Sequence, residues 1–129
     1  MAEAERITIN IAAVDAGMMD LLIDDGVYAT RSDFVRAAIR TQLSLHKAAV
    51  EETSTRKKYI MGTEEISGSD LEAALVKKQK VHYRVIGALR LSADITPELA
   101  CATIGSISVY GSLRVSDEVR AALGDRILR

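Results

Sequence analysis

Hydrophobic and polar residues alternate strictly over residues 6–11, near the start of the chain. Three isoleucines share one face and three polar residues share the other: Ile7, Ile9 and Ile11 against Arg6, Thr8 and Asn10. This alternation predicts a β-strand with one buried face. A lone strand leaves its hydrogen-bonding edges unpaired. Because no mate follows within the next forty or so residues, we expect the same strand of a second copy of the chain to pair with it.

The apolar spacing then changes to that of a helix. Apolar residues recur at Val14, Met18, Leu21 and Leu22. This spacing predicts an amphipathic helix over about residues 15–25, and Gly26 stands where a helix commonly ends. A second helix is expected to begin at Thr30, since Asp33 follows three positions later in a pattern close to a capping box. Its apolar stripe includes Phe34, Val35 and Ile39.

The strand and the second helix together resemble a known family. Residues 6–11 are followed by Gly26-Val-Tyr-Ala-Thr-Arg-Ser-Asp-Phe-Val-Arg-Ala-Ala-Ile-Arg40. This arrangement resembles the ribbon-helix-helix DNA-binding domain of the Arc, MetJ and CopG type, over roughly the first third of the chain. The segment from Gly26 to Arg40 is the more specific part of the resemblance. One departure is Ala12-Ala13, where many members of the family have a proline.

The resemblance implies an intertwined homodimer whose paired strands enter the major groove of double-stranded DNA. Side chains on the polar face of the strand would then read bases: Arg6, Thr8 and Asn10. The start of the second helix would grip a phosphate through Thr30, Arg31 and Ser32, which agrees with the partial positive charge of a helix N-terminus. The core of the dimer would contain Ile7, Ile9, Ile11, Phe34, Val35 and Ile39.

The second half of the chain carries a short internal repeat. The segments 85–92 and 109–116 agree at five of eight positions with an offset of 24 residues, and Gly62 precedes Gly87 by 25. We interpret this part as three units of strand, turn and short helix. Strands near residues 59–61, 83–86 and 107–110 should lie in parallel, and stacked units of this kind predict a small solenoid.

These patterns predict an α+β protein with two parts. Residues 1–50 form a ribbon-helix-helix domain for dimerisation and DNA binding, residues 51–58 a linker, and residues 59–129 a repeat-containing domain. The linker is inferred from a drop in hydrophobicity followed by Arg56-Lys57-Lys58. This basic run reads as a solvated hinge, with phosphate binding as the alternative. The open ends of the repeats suggest oligomerisation or the binding of a protein partner.

Composition and charge add limits to this picture. The chain has 129 residues and a formal net charge of −1, so it is not a polybasic nucleic-acid coat. Residues 1–50 hold five Lys and Arg against seven Asp and Glu, although a DNA-binding face normally shows a basic excess. A single cysteine suits the reducing cytoplasm, where we expect the protein to work. No apolar run is long enough for a membrane helix, so no membrane partner is expected.

Few residues are candidates for metal binding or catalysis. His46, His82 and Cys101 are isolated in sequence and lack the spacing of metal ligands, so no metal or other cofactor is predicted. Cys101 lies between two alanines and is most simply a buried, small apolar residue. No nucleophile is paired with a base, and we therefore expect no enzymatic activity.

Three functional hypotheses follow. The first is a sequence-specific transcriptional regulator, most simply a repressor, acting as a homodimer or higher oligomer. The second is an antitoxin, or another partner-binding protein, with an autoregulatory DNA-binding part. The third is a structural or assembly protein built on the C-terminal repeats.

Overall fold

Helices alone form the first part of the chain, and strands alternate with helices in the second. The computed structural model describes residues 4–129, which contain six α-helices and three β-strands. In chain order these are α1 (Ala13–Asp24), α2 (Arg31–Leu45), α3 (Lys47–Lys57), β1 (Ile60–Ile66), α4 (Gly68–Val76), β2 (Val81–Leu91), α5 (Pro97–Thr103), β3 (Ile104–Arg114) and α6 (Asp117–Leu123). A short 3₁₀ turn, Gly124–Arg126, follows α6.

The described chain divides into two compact units. The head unit spans residues 6–53, and the sheet unit comprises residues 54–129 together with Ala4 and Glu5. The expected linker at 51–58 is mostly helical, because residues 51–57 complete α3. Glu, Lys and Arg favour helix despite their polarity. Ser54 is buried, and its hydroxyl donates a hydrogen bond to the Tyr59 carbonyl oxygen (3.0 Å). Independent folding of the two units stays a prediction.

Both helices predicted for the head unit are present. Helix α1 ends just before Gly26, and α2 begins after Thr30, whose side chain accepts a hydrogen bond from the Asp33 N–H (3.1 Å). Residues 6–11 belong to no helix or strand of the single chain, so the predicted strand is not formed there. A strand requires a hydrogen-bonded neighbour, and the described residues of this chain supply none to the segment.

The three predicted parallel strands are confirmed. They form one sheet in the order β1-β2-β3, and both pairs of neighbours are parallel. Positions that match in the sequence lie side by side, as Val85 does with Val109 and Leu89 with Leu113. The sheet neither closes nor curls into the predicted solenoid.

One side of this sheet carries the core of the sheet unit. Val85 and Leu89 on β2 and Ile107 and Val109 on β3 are buried on the same side. Leu71, Ala100 and Val119 bring α4, α5 and α6 onto them. Each of these helices follows a hydroxyl residue that caps its first turn: Ser67, Thr96 and Ser116. The caps satisfy main-chain N–H groups that the helix cannot satisfy itself.

Glycines are aligned across the middle of the sheet. Gly62 lies opposite Gly87, and Gly87 lies opposite Gly111. Gly87 and Gly111 have φ angles of 136° and 126°, which side chains rarely allow. A Cβ added to Gly87 would overlap the main-chain oxygen of Gly62, and one added to Gly111 would overlap that of Gly87. Close strand contact therefore requires glycine at both positions.

Gly62 provides a matched control, since it shares the unusual φ but has open space where a Cβ would stand. We expect Gly62→Ala to lower the free energy of unfolding by about 1–3 kcal/mol through backbone strain alone. Gly87→Ala adds the overlap with Gly62 and should cost roughly 4 kcal/mol or more. Urea unfolding followed by circular dichroism measures both, and equal losses would contradict the close-contact explanation.

Candidate nucleic-acid interface

The three isoleucines of the N-terminal segment at 6–11 are exposed in the single chain. Ile7 is 77% exposed, Ile9 64% and Ile11 46%. Arg6, Thr8 and Asn10 are exposed as well. Each three-residue set occupies alternate positions of one segment, so a strand formed here would present one apolar and one polar face.

Large apolar side chains are exposed throughout the head unit. Met19 is its only buried hydrophobic residue among those described. Besides the three isoleucines, nine large apolar residues are exposed: Val14, Met18, Leu21, Val27, Val35, Ile39, Leu43, Leu45 and Val50. Phe34 is half-buried and makes an edge-to-face contact with Tyr28 at 5.0 Å between ring centroids. The unit therefore lacks a closed core of its own.

An open groove runs along α2 within this exposed surface. It has a volume of ≈ 330 Å³ and is lined by Arg36, Ile39, Arg40 and Leu43. The two apolar residues lie four positions apart, one turn along the helix, and the two arginines do the same. The groove thus combines an apolar floor with positively charged margins.

The predicted phosphate-binding residues lie together at the N-terminus of α2. Thr30 is the N-cap residue, and Arg31 and Ser32 begin the first turn. All three are exposed. A helix start of this kind presents main-chain N–H groups and a partial positive charge to solvent.

Arg31 also has a partner that the sequence did not reveal. Its Nε and Nη2 donate hydrogen bonds to the two carboxylate oxygens of Asp20, each at 2.8 Å. These hydrogen bonds, together with a smaller charge attraction, hold the pKa of the Asp20 carboxyl below its ordinary value against the opposing effect of desolvation. The same contact raises the pKa of Arg31. The bridge fixes α1 to α2 and orients the guanidinium at the candidate phosphate site.

No local spacing could have predicted this pair, because its members are eleven positions apart and the turn between the helices lies between them. Within residues 4–129, no three His, Cys, Asp or Glu side chains are grouped so that they could hold a metal ion. None of the helices in this range is long and apolar enough to cross a membrane.

Comparison with known protein families identifies the family of this chain. The profile of the Ribbon-Helix-Helix transcriptional regulator family matches residues 2–120. The chain belongs to this family, whose members are regulators and not enzymes, and membership implies DNA binding. The match extends through the sheet unit, so the resemblance found in the first third of the sequence was too narrow. No curated protein and no solved structure matches the chain significantly.

The Asp20–Arg31 bridge predicts a pH-dependent stability. Because the pKa of Asp20 is lowered in the folded chain from 3.8, its contribution is present above about pH 4 and disappears as the pH falls through the folded value. Arg31→Met should raise the pKa of Asp20 and reduce stability at pH 7, and the deficit should shrink below pH 3.8.

NMR titration of the Asp20 carboxyl measures its pKa, and urea unfolding at pH 7 and below pH 3.8 measures the change in stability. Arg36→Met is the matched control, because Arg36 lies near Asp33 (3.8 Å) and not near Asp20. A pKa of Asp20 that moved equally in both variants would refute the specific bridge.

Proposed function

We propose that this member of the ribbon-helix-helix family is a homodimeric, sequence-specific DNA-binding repressor. The observation that supports the proposal is the exposed segment at 6–11, in which isoleucines alternate with polar side chains that can hydrogen-bond to base edges. Pairing with the same segment of a second chain would bury the first set and leave the second free for the major groove.

The exposed apolar surface of the head unit supports the dimer. Twelve large apolar side chains are exposed there, far more than isolated surface residues account for. Ile39 and Leu43 line the groove along α2, where a helix of a second copy would bury them. Phe34, Val35 and Ile39 would then join the three isoleucines in one shared core.

DNA recognition divides between two sets of residues. Arg6, Thr8 and Asn10 carry the donors and acceptors that distinguish base pairs in the major groove. Thr30, Arg31 and Ser32 would fix the register by contacting a phosphate at the start of α2. In this proposal Arg31 is already oriented by Asp20, which lowers the entropy cost of using its guanidinium, although the carboxylate of Asp20 offsets its positive charge.

A higher oligomer through the sheet unit is a second candidate activity. Strand β1 lies at the edge of the sheet, and its Ile60 and Met61 are 58% and 51% exposed. Exposed edge strands pair readily with other chains. Pairing here would join dimers bound at adjacent sites and increase their combined affinity.

Base reading is tested on the full chain with DNA from around its own gene and with random duplex of equal length. Thr8→Ala and Asn10→Ala should each weaken binding to the specific DNA about tenfold or more, since a base contact contributes roughly 1–3 kcal/mol and recurs in both subunits. Affinity for random DNA should barely change. Thr41→Ala, on the exposed surface of α2, is the matched control for Thr8→Ala. If Thr8→Ala and Asn10→Ala both kept the wild-type preference for the specific DNA over random DNA, base reading would be refuted.

Dimerisation is tested by placing a charge in the proposed interface. Ile39→Asp should yield a monomer with its sheet unit still folded, because burying an unpaired carboxylate in the shared core is costly. Val76→Asp introduces the same charge at an 82% exposed position on α4 and should leave the dimer intact. Sedimentation velocity distinguishes the two. A dimeric Ile39→Asp protein would overturn the proposed interface.

A further inference from the structure

The side of the sheet away from α4, α5 and α6 carries a cluster of arginines and tyrosines. Side chains alternate across a strand, so residues between the buried positions of β2 and β3 point away from the core. This surface, which we call the basic face, includes Tyr59, Arg84, Ser108, Tyr110 and Arg129. Arg84, Tyr110 and Arg129 are exposed.

Contacts within the basic face hold its cations in place. The Tyr59 and Tyr110 rings meet edge to face with centroids 5.4 Å apart, and the hydroxyls of Tyr59 and Ser108 are 2.7 Å apart. The guanidinium of Arg129 lies 4.2 Å from the centroid of the Tyr110 ring, and that of Arg84 lies 5.9 Å from that of Tyr59. Nη1 of Arg84 also donates to the Lys57 carbonyl oxygen at 2.7 Å.

These contacts favour phosphate over bases as the ligand. A surface that stacks unpaired bases needs open aromatic rings. Here each tyrosine already has an arginine over its ring, so the rings serve to orient the cations. Arginines fixed by cation–π contact still have N–H groups available to bind phosphate oxygens.

The charge of the sheet unit also favours phosphate as the ligand. Residues 54–129 hold twelve Lys and Arg against nine Asp and Glu, a net of +3, whereas residues 6–53 hold five against seven, a net of −2. The basic run Arg56-Lys57-Lys58 leads directly into β1 beside Tyr59. Five acidic residues lie instead on the helices that cover the core: Asp70, Glu72, Glu98, Asp117 and Glu118. The basic face, by contrast, carries the guanidinium groups of Arg84 and Arg129.

We propose that the basic face is a second DNA-contacting surface, which binds the phosphate backbone of duplex DNA outside the bases read by the head unit. The inference rests on the proposed function and assigns to the sheet unit the sequence-independent part of the affinity. Sequence-independent affinity for DNA requires a basic surface, and the head unit has a net negative charge. A second copy of the same face is a poor partner, because two arginine-rich surfaces repel each other.

The test compares two double variants of the full-length protein with equal loss of charge. Arg84→Gln with Arg129→Gln removes two cations from the basic face. Lys77→Gln with Arg120→Gln removes two from the ends and surface of α4 and α6. Binding to labelled random duplex, to DNA from around its own gene and to single-stranded DNA is followed by fluorescence anisotropy over a series of salt concentrations.

The basic-face variant should bind both duplexes on the order of tenfold more weakly. The slope of log K against the logarithm of salt concentration should become less steep by roughly 0.9 for each phosphate contact removed. Its preference for the specific DNA should be unchanged, and the helix-side variant should resemble wild type. Lys57→Gln, at an exposed position, should show the same change on a smaller scale if the double variant unfolds.

Other outcomes separate the two proposals. Equal behaviour of both double variants would overturn the second surface while leaving the proposed function intact. Loss of single-stranded binding alone would overturn it in favour of base stacking. If the wild-type protein bound no DNA, both proposals would fail.

Discussion

The head unit has more apolar surface than its own residues can cover, and this constraint governs much of the molecule. A unit of this size, with two helices packed together and an unpaired segment before them, buries only Met19 among its described hydrophobic residues. Free energy of folding comes mainly from burying such surface. The alternating isoleucines and the apolar stripe on α2 would be buried only if another surface completed the core, as in the proposed dimer.

The sheet unit, by contrast, covers most of its apolar surface with its own residues. Its helices and strands enclose a core that includes Leu71, Leu89, Ile104 and Ile107, each fully buried. The side of the sheet away from these helices carries polar side chains that include Arg84, Ser108 and Tyr110. Residues 6–53 carry a net charge of −2 and residues 54–129 a net charge of +3, so the overall charge of −1 conceals a basic part of the chain, on which the proposed second DNA-contacting surface rests.

Local patterns in the sequence predicted local structure well. The cap at Thr30, the stop at Gly26 and the parallel register of matched repeat positions all depend on residues close in sequence or on a repeated spacing. Composition alone does not predict the second half of helix α3, because polar residues are typical of linkers as well as of exposed helices; the buried Ser54 becomes evident only in the structure. The Asp20–Arg31 bridge and the Tyr59–Tyr110 contact were missed because their members are far apart in the chain. The roles of Arg6, Thr8 and Asn10 remain predictions.

The glycine alignment has a consequence for how the gene can vary. Every missense change in a glycine codon adds at least a Cβ, so at Gly87 and Gly111 no amino-acid replacement is conservative. Gly62, which faces open space, is restrained only by its backbone angle. Substitutions should therefore be excluded at Gly87 and Gly111 and be rare at Gly62. The difference arises from the neighbouring strand, whose main chain lies where a Cβ would stand at the first two positions but not at the third.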